Sequence, residues 1–579
     1  MSSDVGPAFH FDLRAASSHL VDVALQLQPT QGRLQFSLPS WTPGSYLIRD
    51  YVRQLEDLTL SQNGTPLALR RVDLATWQVQ LPNLDPVLIR YRILATELTV
   101  RTCHLNSQHA FLALAAVALL VEGERWSPHH FSLDLPPGWD AFVPLPRGKD
   151  GRWTSSDFDQ LVDTPIEAGP HREHHFAVGG IPHRWVTWGT TLSGEDPLLE
   201  DSALMADVQR VCLACCRLLG LDRPAAEHYL FVLHLTANGY GGLEHDNSAV
   251  LQYGRCRLQQ IGGRRKLLQL VAHEYLHQWN VRRLRPMELC PYDFSQAAVT
   301  PNLWFAEGLT SYFDQLLPYS AGLCSQDDLL QDLGADLSRF LLTPGRHVQS
   351  LRLSSQEAWV KLYKADAYAS NNQISYYLKG AVLALVLDLH LRRFKSSLPE
   401  VLRQLWQSHG KVGRGYREDD LLRAFANQAP DLTVLLPNWL NSTEDFPLQD
   451  YLADVGLVLH QQPGSLPQPG WDVQIASQGL VLKRVLRHSP AEKCGLMVGD
   501  ELLALDGQRL RQKEDIKVML ETLKPQECIT VLYGRDERVH SATLGLDPAS
   551  VNEWCLQLNP AAGPESQERR RRWLMLEAP

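Results

Sequence analysis

No stretch of this 579-residue chain is apolar for long enough to cross a bilayer. The longest run, Phe111 to Val121, holds 11 residues where about 20 are needed, and it reads instead as a buried strand or helix. Positive charge is not in excess either. The net charge of −10 provides neither the basic footprint of a nucleic-acid binder nor a match to an anionic membrane surface, so neither partner is expected. Ten cysteines in so long a chain do not make a disulfide framework. Cys212, Cys215 and Cys216 lie in a segment of helical apolar spacing with no second cysteine pair, which points to buried thiols rather than a redox or zinc-ribbon motif. The opening MSSDVGPAFHFDL lacks a basic patch leading into an apolar core, so no secretory signal is expected, and the chain reads as soluble and cytoplasmic.

What is present is enough apolar sequence, 44%, to bury a core, in a chain long enough for two to four domains. From Phe9 to about Ala168 apolar and polar residues alternate between Pro- and Gly-rich turns, as in LQFSLPSWTPGSYLIRDY and VLIRYRILATEL. That pattern predicts an antiparallel, sandwich-like β domain, and no catalytic constellation stands out in it. From about Asp201 to Leu452 helical spacing dominates, broken by the strand-rich island YLFVLHLTANGYGGLEHDNSAVLQYGR. The Pro/Gly-rich stretch Gln461 to Trp471 reads as a boundary before a compact unit ending near Leu546. The expectation is a multidomain α+β protein: an N-terminal β-rich domain over residues 1–170, a mainly helical catalytic domain over 171–462, a small C-terminal domain over 463–548 and a tail over 549–579.

His273-Glu274-Tyr275-Leu276-His277 is an H-E-x-x-H motif. On a helix, positions i and i+4 share a face, so both imidazoles can reach one ion with Glu274 beside it. The motif is short enough to arise by chance, and a helix carrying two unrelated histidines is the plain alternative. Its context favours a metal: KLLQLVA before it and Trp279 after it give the helix a buried face, where paired polar groups need partners. A second helical segment, Leu303-Trp304-Phe305-Ala306-Glu307-Gly308-Leu309-Thr310, places an acid among apolar neighbours. Two histidines and Glu307 leave zinc a fourth position for water, as in catalytic rather than structural sites. A metzincin would need a third histidine at position 283, which is Arg283.

These segments resemble gluzincin aminopeptidases, whose third ligand is the Glu of W-x-x-E-G. Three more narrow the resemblance to the PDZ-bearing glycyl aminopeptidases: Trp41-Thr42-Pro43-Gly44-Ser45-Tyr46, Gly241-Gly242-Leu243-Glu244-His245 and Ser375-Tyr376-Tyr377-Leu378-Lys379-Gly380. Near the C-terminus, Gly479 to Val485, Ser489-Pro490-Ala491-Glu492, Gly495-Leu496, Gly499-Asp500-Glu501-Leu502-Leu503 and Asp506-Gly507 resemble a PDZ domain. The resemblance spans nearly the whole chain and implies a thermolysin-like catalytic domain followed by that PDZ domain.

It also implies roles. His273, His277 and Glu307 would hold one zinc per chain, with Glu274 as general base. Tyr377 matches the tyrosine of Y-x-K-G that stabilises the oxyanion in the wider clan. Tyr376 is its rival, on a helix that Asn371 or Asn372 would cap. Gly241 and Gly242 would let a peptide backbone approach, and Glu244 stands where relatives hold the substrate's free ammonium. The implied activity is removal of small N-terminal residues, glycine and alanine, from peptides with a free amino end. A zinc endopeptidase with PDZ-assisted capture and a non-enzymatic PDZ binding protein remain as alternatives. The PDZ unit would either take a peptide ligand or serve as a structural cap. The cluster His171-Arg172-Glu173-His174-His175 lacks a helical frame and reads as surface or strand-edge histidines.

Overall fold

The structure is a computed structural model describing residues 6–577. The chain forms two compact units, each drawing on separated segments: the chain up to Thr300 with Phe313–Cys324 and Pro399–Ala424, and Pro301–Tyr312 with Ser325–Leu398 and the chain from Phe425 onward.

In the first unit the N-terminal strands form a seven-stranded sheet and two four-stranded sheets. The sequence alternation is realised directly. In Leu20–Leu27, Val21, Val23, Leu25 and Leu27 are buried while Asp22 and Gln26 face solvent. Pairing is antiparallel except between Ala8–Asp12 and His129–Asp134, which run parallel. The apolar run from Phe111 is buried to Leu119, divided between a strand, Ala110–Ala113, and a short turn of helix.

A five-stranded sheet follows in the order Glu173–Val178, Ile181–Trp188, Tyr229–Thr236, Ser248–Gly254, Tyr240–Glu244. Its three middle strands are parallel, and Tyr229 to Leu235 is buried without interruption, as a parallel strand covered on both faces requires. Tyr240–Glu244 returns antiparallel and forms one edge. The helix Leu204–Leu218 encloses Cys212, Cys215 and Cys216, whose thiols burial pushes up, that of Cys216 to about 12. Helix α1, Gly263–Leu276, starts at Gly262 (φ +76°) and buries Leu267, Leu268, Val271, Ala272, Tyr275 and Leu276.

Helix α2, Leu309–Ser320, extends the segment carrying Glu307. The second unit contains α3, Tyr376–Arg393, buried along most of its length. Its C-terminal sheet has the strand order Trp471–Ala476, Gly479–Val485, Glu501–Leu505, Cys528–Arg535, Arg538–Gly545, with Leu482, Leu505, Val531 and Leu544 fully buried. The tail is docked. Val551–Leu558 pairs with Leu457–Pro463, and Trp573, fully buried, donates from Nε1 to the Tyr312 hydroxyl at 2.7 Å.

Candidate active site

Helix α1 ends at Leu276, but His277 keeps helical dihedrals (φ −61°, ψ −20°), so the i, i+4 relation to His273 holds. The two rings lie 4.6 Å apart and nearly perpendicular. Each has a partner for Nδ1: Asp314 Oδ2 at 2.9 Å from His273, and the Asn280 carbonyl at 2.6 Å from His277. Such contacts fix tautomer and ring orientation, and Nε2 becomes the atom through which each histidine can ligate. Asp314 was not singled out in the sequence. The signal is its place on the helix, two turns beyond Glu307 and so on the same side. Glu274 packs against the edge strand: a Cβ at Gly242 would lie 2.2 Å from Glu274 Oε1, so only glycine leaves room for the carboxylate.

Glu307 sits in one π-helical turn, Trp304–Gly308, rather than the plain α-helix expected. Such turns re-aim side chains and concentrate at functional sites. The glycine after Glu307 has a steric reason. A Cβ at Gly308 would lie 2.6 Å from Gly380 Cα and 2.8 Å from the Tyr376 carbonyl oxygen. The two glycines let this turn and α3 touch backbone to backbone, which brings Glu307 and the tyrosines together. The ligand-capable atoms of His273, His277 and Glu307 lie within 4.8 Å of one another. Those of Glu244, Glu274 and His277 do so as well. A donor set of two imidazoles and a carboxylate suits zinc.

Glu244 ends the edge strand, 3% exposed, with Oε1 buried and accepting no hydrogen bond among the described residues. The N-terminal β domain closes over it. Gly44 (φ +81°) approaches so closely that a Cβ there would meet both Glu244 oxygens at 2.6 Å. Arg101 donates from Nη2 to the Gly242 carbonyl at 3.0 Å. Gly241 (φ +147°) faces open space. His245 is held by Asp163, 2.9 Å from Nδ1, and Arg282 bonds to the same carboxylate at 2.9 Å.

Tyr376 is fully buried and Tyr377 partly so, their rings stacked 4.7 Å apart. Burial, with the Tyr363 hydroxyl and the Glu307 carboxylate nearby, pushes the Tyr376 phenol well above its usual value. The α3 N-cap is Ser375, without a side-chain bond, and not either asparagine. Asn371 instead binds the C-terminal domain, donating to the Val485 carbonyl at 2.8 Å and accepting from Arg487 N–H at 3.1 Å. Extended Gln373 separates its short helix from α3.

A second metal-competent group, His109, Glu167 and His234, is fully buried in the first unit. Burial opposes the Glu167 charge, yet His234 at 2.8 Å and His109 and His171, each at 2.9 Å, hold its carboxyl well below the usual range. His109 Nε2 and His234 Nδ1 lack partners among the described residues, unlike the supported rings of His273 and His277. Three N–H donors satisfy the Glu167 carboxylate without a metal, which marks a structural ion cluster rather than an open metal site. His171 therefore belongs to the interior, while His174 and His175 lie on an edge strand of the five-stranded sheet.

Comparisons with known proteins bear on the fold and the domains. The profile of the Peptidase M61 N-terminal domain matches residues 8–170, that of the M61 glycyl aminopeptidases 266–383, and a PDZ profile 481–535. The crystal structure of an aminopeptidase N family protein from Idiomarina loihiensis superposes with a TM-score of 0.91 at 29% identity, over 98% of this chain and 100% of the other. A probable periplasmic serine protease (do/HhoA-like) of Haemophilus influenzae is 34% identical over 71 residues, 12% of this chain. The match spans only 15% of that curated relative. Two profiles of the M61 peptidase family and a PDZ profile occur in order on a chain that superposes end to end with an aminopeptidase-family structure, and the chain is a metallopeptidase similar to the M61 glycyl aminopeptidases.

Proposed function

We propose that this metallopeptidase is a zinc aminopeptidase that removes small N-terminal residues, glycine and alanine by its family resemblance, from peptides with a free amino end. The observation that carries the reading is the overlap of two groups at His277. His273, His277 and Glu307 converge as a ligand set, and Glu244 and Glu274 converge on the same histidine. Two buried carboxylates so close call for a cation, and a substrate ammonium beside a metal supplies one. Bound by the first group, zinc provides Lewis acidity to the scissile carbonyl and the attacking water.

The protein's own groups do the rest. Glu274, backed by Gly242, accepts the proton of the attacking water and passes it to the leaving amine. Glu244 Oε1, buried and without a partner among the described residues, receives the ammonium and sets the distance from the chain end to the cleaved bond. Tyr377 donates to the developing oxyanion. It is partly exposed and can meet a substrate, whereas Tyr376 is enclosed. In the PDZ domain the edge strand Trp471–Ala476 offers an extended peptide a place to pair.

The reading is tested by elemental analysis and by cleavage of a glycyl or alanyl peptide. About one zinc per chain is expected, with activity lost on chelation and restored by zinc; full activity in metal-free protein overturns the assignment. Asp314→Asn keeps the shape but loses the charge behind His273, and zinc affinity should fall about 10- to 100-fold in a chelator competition. An unchanged affinity would show that Asp314 does not orient His273.

A further inference from the structure

Tyr363 lies on the turn Leu362–Lys364, remote in sequence from every motif of the site. Its hydroxyl is 3.0 Å from that of Tyr377, and it accepts from the Tyr376 hydroxyl at 3.4 Å. Each phenol has one proton to donate. If Tyr376 donates to Tyr363, the Tyr363 proton is turned toward the Tyr377 oxygen. Tyr377, then an acceptor from Tyr363, keeps its own proton for another acceptor. A hydroxyl that accepts one hydrogen bond becomes a stronger donor in the next, since chains of such bonds polarise one another.

We propose that Tyr363 is the positioning residue of the oxyanion site: it links buried Tyr376 to Tyr377 and orients the Tyr377 proton toward the substrate oxygen as charge develops there. The inference rests on the reading of Tyr377 as oxyanion donor. It goes beyond that reading by assigning a role to a residue outside the Y-x-K-G segment. Nothing covalent changes at Tyr363, which returns to the same state after each turnover.

The test is a double-mutant cycle in the full-length, zinc-loaded enzyme, using Tyr363→Phe, Tyr377→Phe and the double variant on one free-ended glycyl peptide. Tyr377→Phe should lower kcat by about 10²–10³, the scale of one lost oxyanion donor. Tyr363→Phe should lower kcat about 5- to 30-fold with KM within about twofold, because only the transition-state interaction is weakened. The double variant should be no slower than Tyr377→Phe alone, since Tyr363 has nothing to orient once that hydroxyl is gone. Zinc content and Tm are measured for each variant, so that a damaged fold is recognised. Should Tyr363→Phe destabilise the protein, Tyr363→Leu is compared in the same cycle, where the same non-additivity is expected.

Losses that multiply would give Tyr363 an effect independent of Tyr377 and overturn the proposal. So would a Tyr363→Phe enzyme with normal kcat beside a crippled Tyr377→Phe enzyme. If Tyr377→Phe itself is near normal, the oxyanion assignment falls and this inference falls with it, a result distinguishable from the other two.

Discussion

Glu274→Gln is expected to keep its zinc and lose nearly all turnover, with kcat falling by about 10²–10⁴. Glutamine has the shape of glutamate, so it occupies the space that Gly242 leaves beside residue 274 without opening a cavity. What it lacks is a basic oxygen to take the proton from water. The ligand set proposed is His273, His277 and Glu307, with Glu274 as base and not as ligand, so the metal should stay. Removing one of two neighbouring buried carboxylates also weakens the pull on a substrate ammonium, and a modest rise in KM should accompany the loss. Elemental analysis, kcat and Tm of the same preparation decide the matter. Zinc lost from a folded Glu274→Gln protein would make Glu274 a ligand and leave the reaction without its base.

Much of this site is local in the chain, and those parts were legible. H-E-x-x-H needs only the helical repeat to bring His273 and His277 together. Glu307 stood out as an acid among Trp304, Phe305 and Leu309. The alternation of Leu20–Leu27 set its buried face, and the unbroken apolar run from Tyr229 marked a covered strand. The less legible features depend on contacts between distant segments. Asp314 is one acid among many until α2 places it behind His273. Gly44 reads as a turn glycine, and its approach to Glu244 follows from the packing of the N-terminal domain on the edge strand. Asn371 has the composition of a helix cap, yet the C-terminal domain claims its amide. Nor does sequence period distinguish a π turn at Trp304–Gly308 from an α-helix; the extra residue falls where Gly308 and Gly380 cross closely, a contact between distant segments.

The glycines of the motifs illustrate why such short patterns carry so much. Gly242 makes room for Glu274, Gly308 and Gly380 for each other, and Gly44 for Glu244. Four positions without a side chain allow backbones to close around the carboxylates and tyrosines. Among them only Gly44 has a positive φ, so the other three are selected by space rather than by conformation.

Blocking the amino end of the substrate should nearly abolish cleavage by the wild-type enzyme. A free ammonium entering beside Glu244 meets a buried carboxylate oxygen that has no other partner among the described residues. Losing one member of such a pair costs roughly 2–5 kcal/mol, or about 30- to several-thousand-fold in kcat/KM. N-acetylation removes the charge and adds bulk where Gly44 crowds Glu244, so the acetylated glycyl or alanyl peptide should fall at the far end of that range. Glu244→Ala should then depress kcat/KM strongly for the free peptide and little for the blocked one, because only the first uses the carboxylate. General damage to the fold would lower both alike, so the two-substrate comparison separates a binding role from a structural one. The Gly44 contact sharpens the expectation. Glu244→Gln, which keeps the packing and loses the charge, should lose most of what Glu244→Ala loses. An enzyme that cut internal bonds of acetylated peptides as readily as free ends would be an endopeptidase, and Glu244 would then be a buried acid with some other purpose.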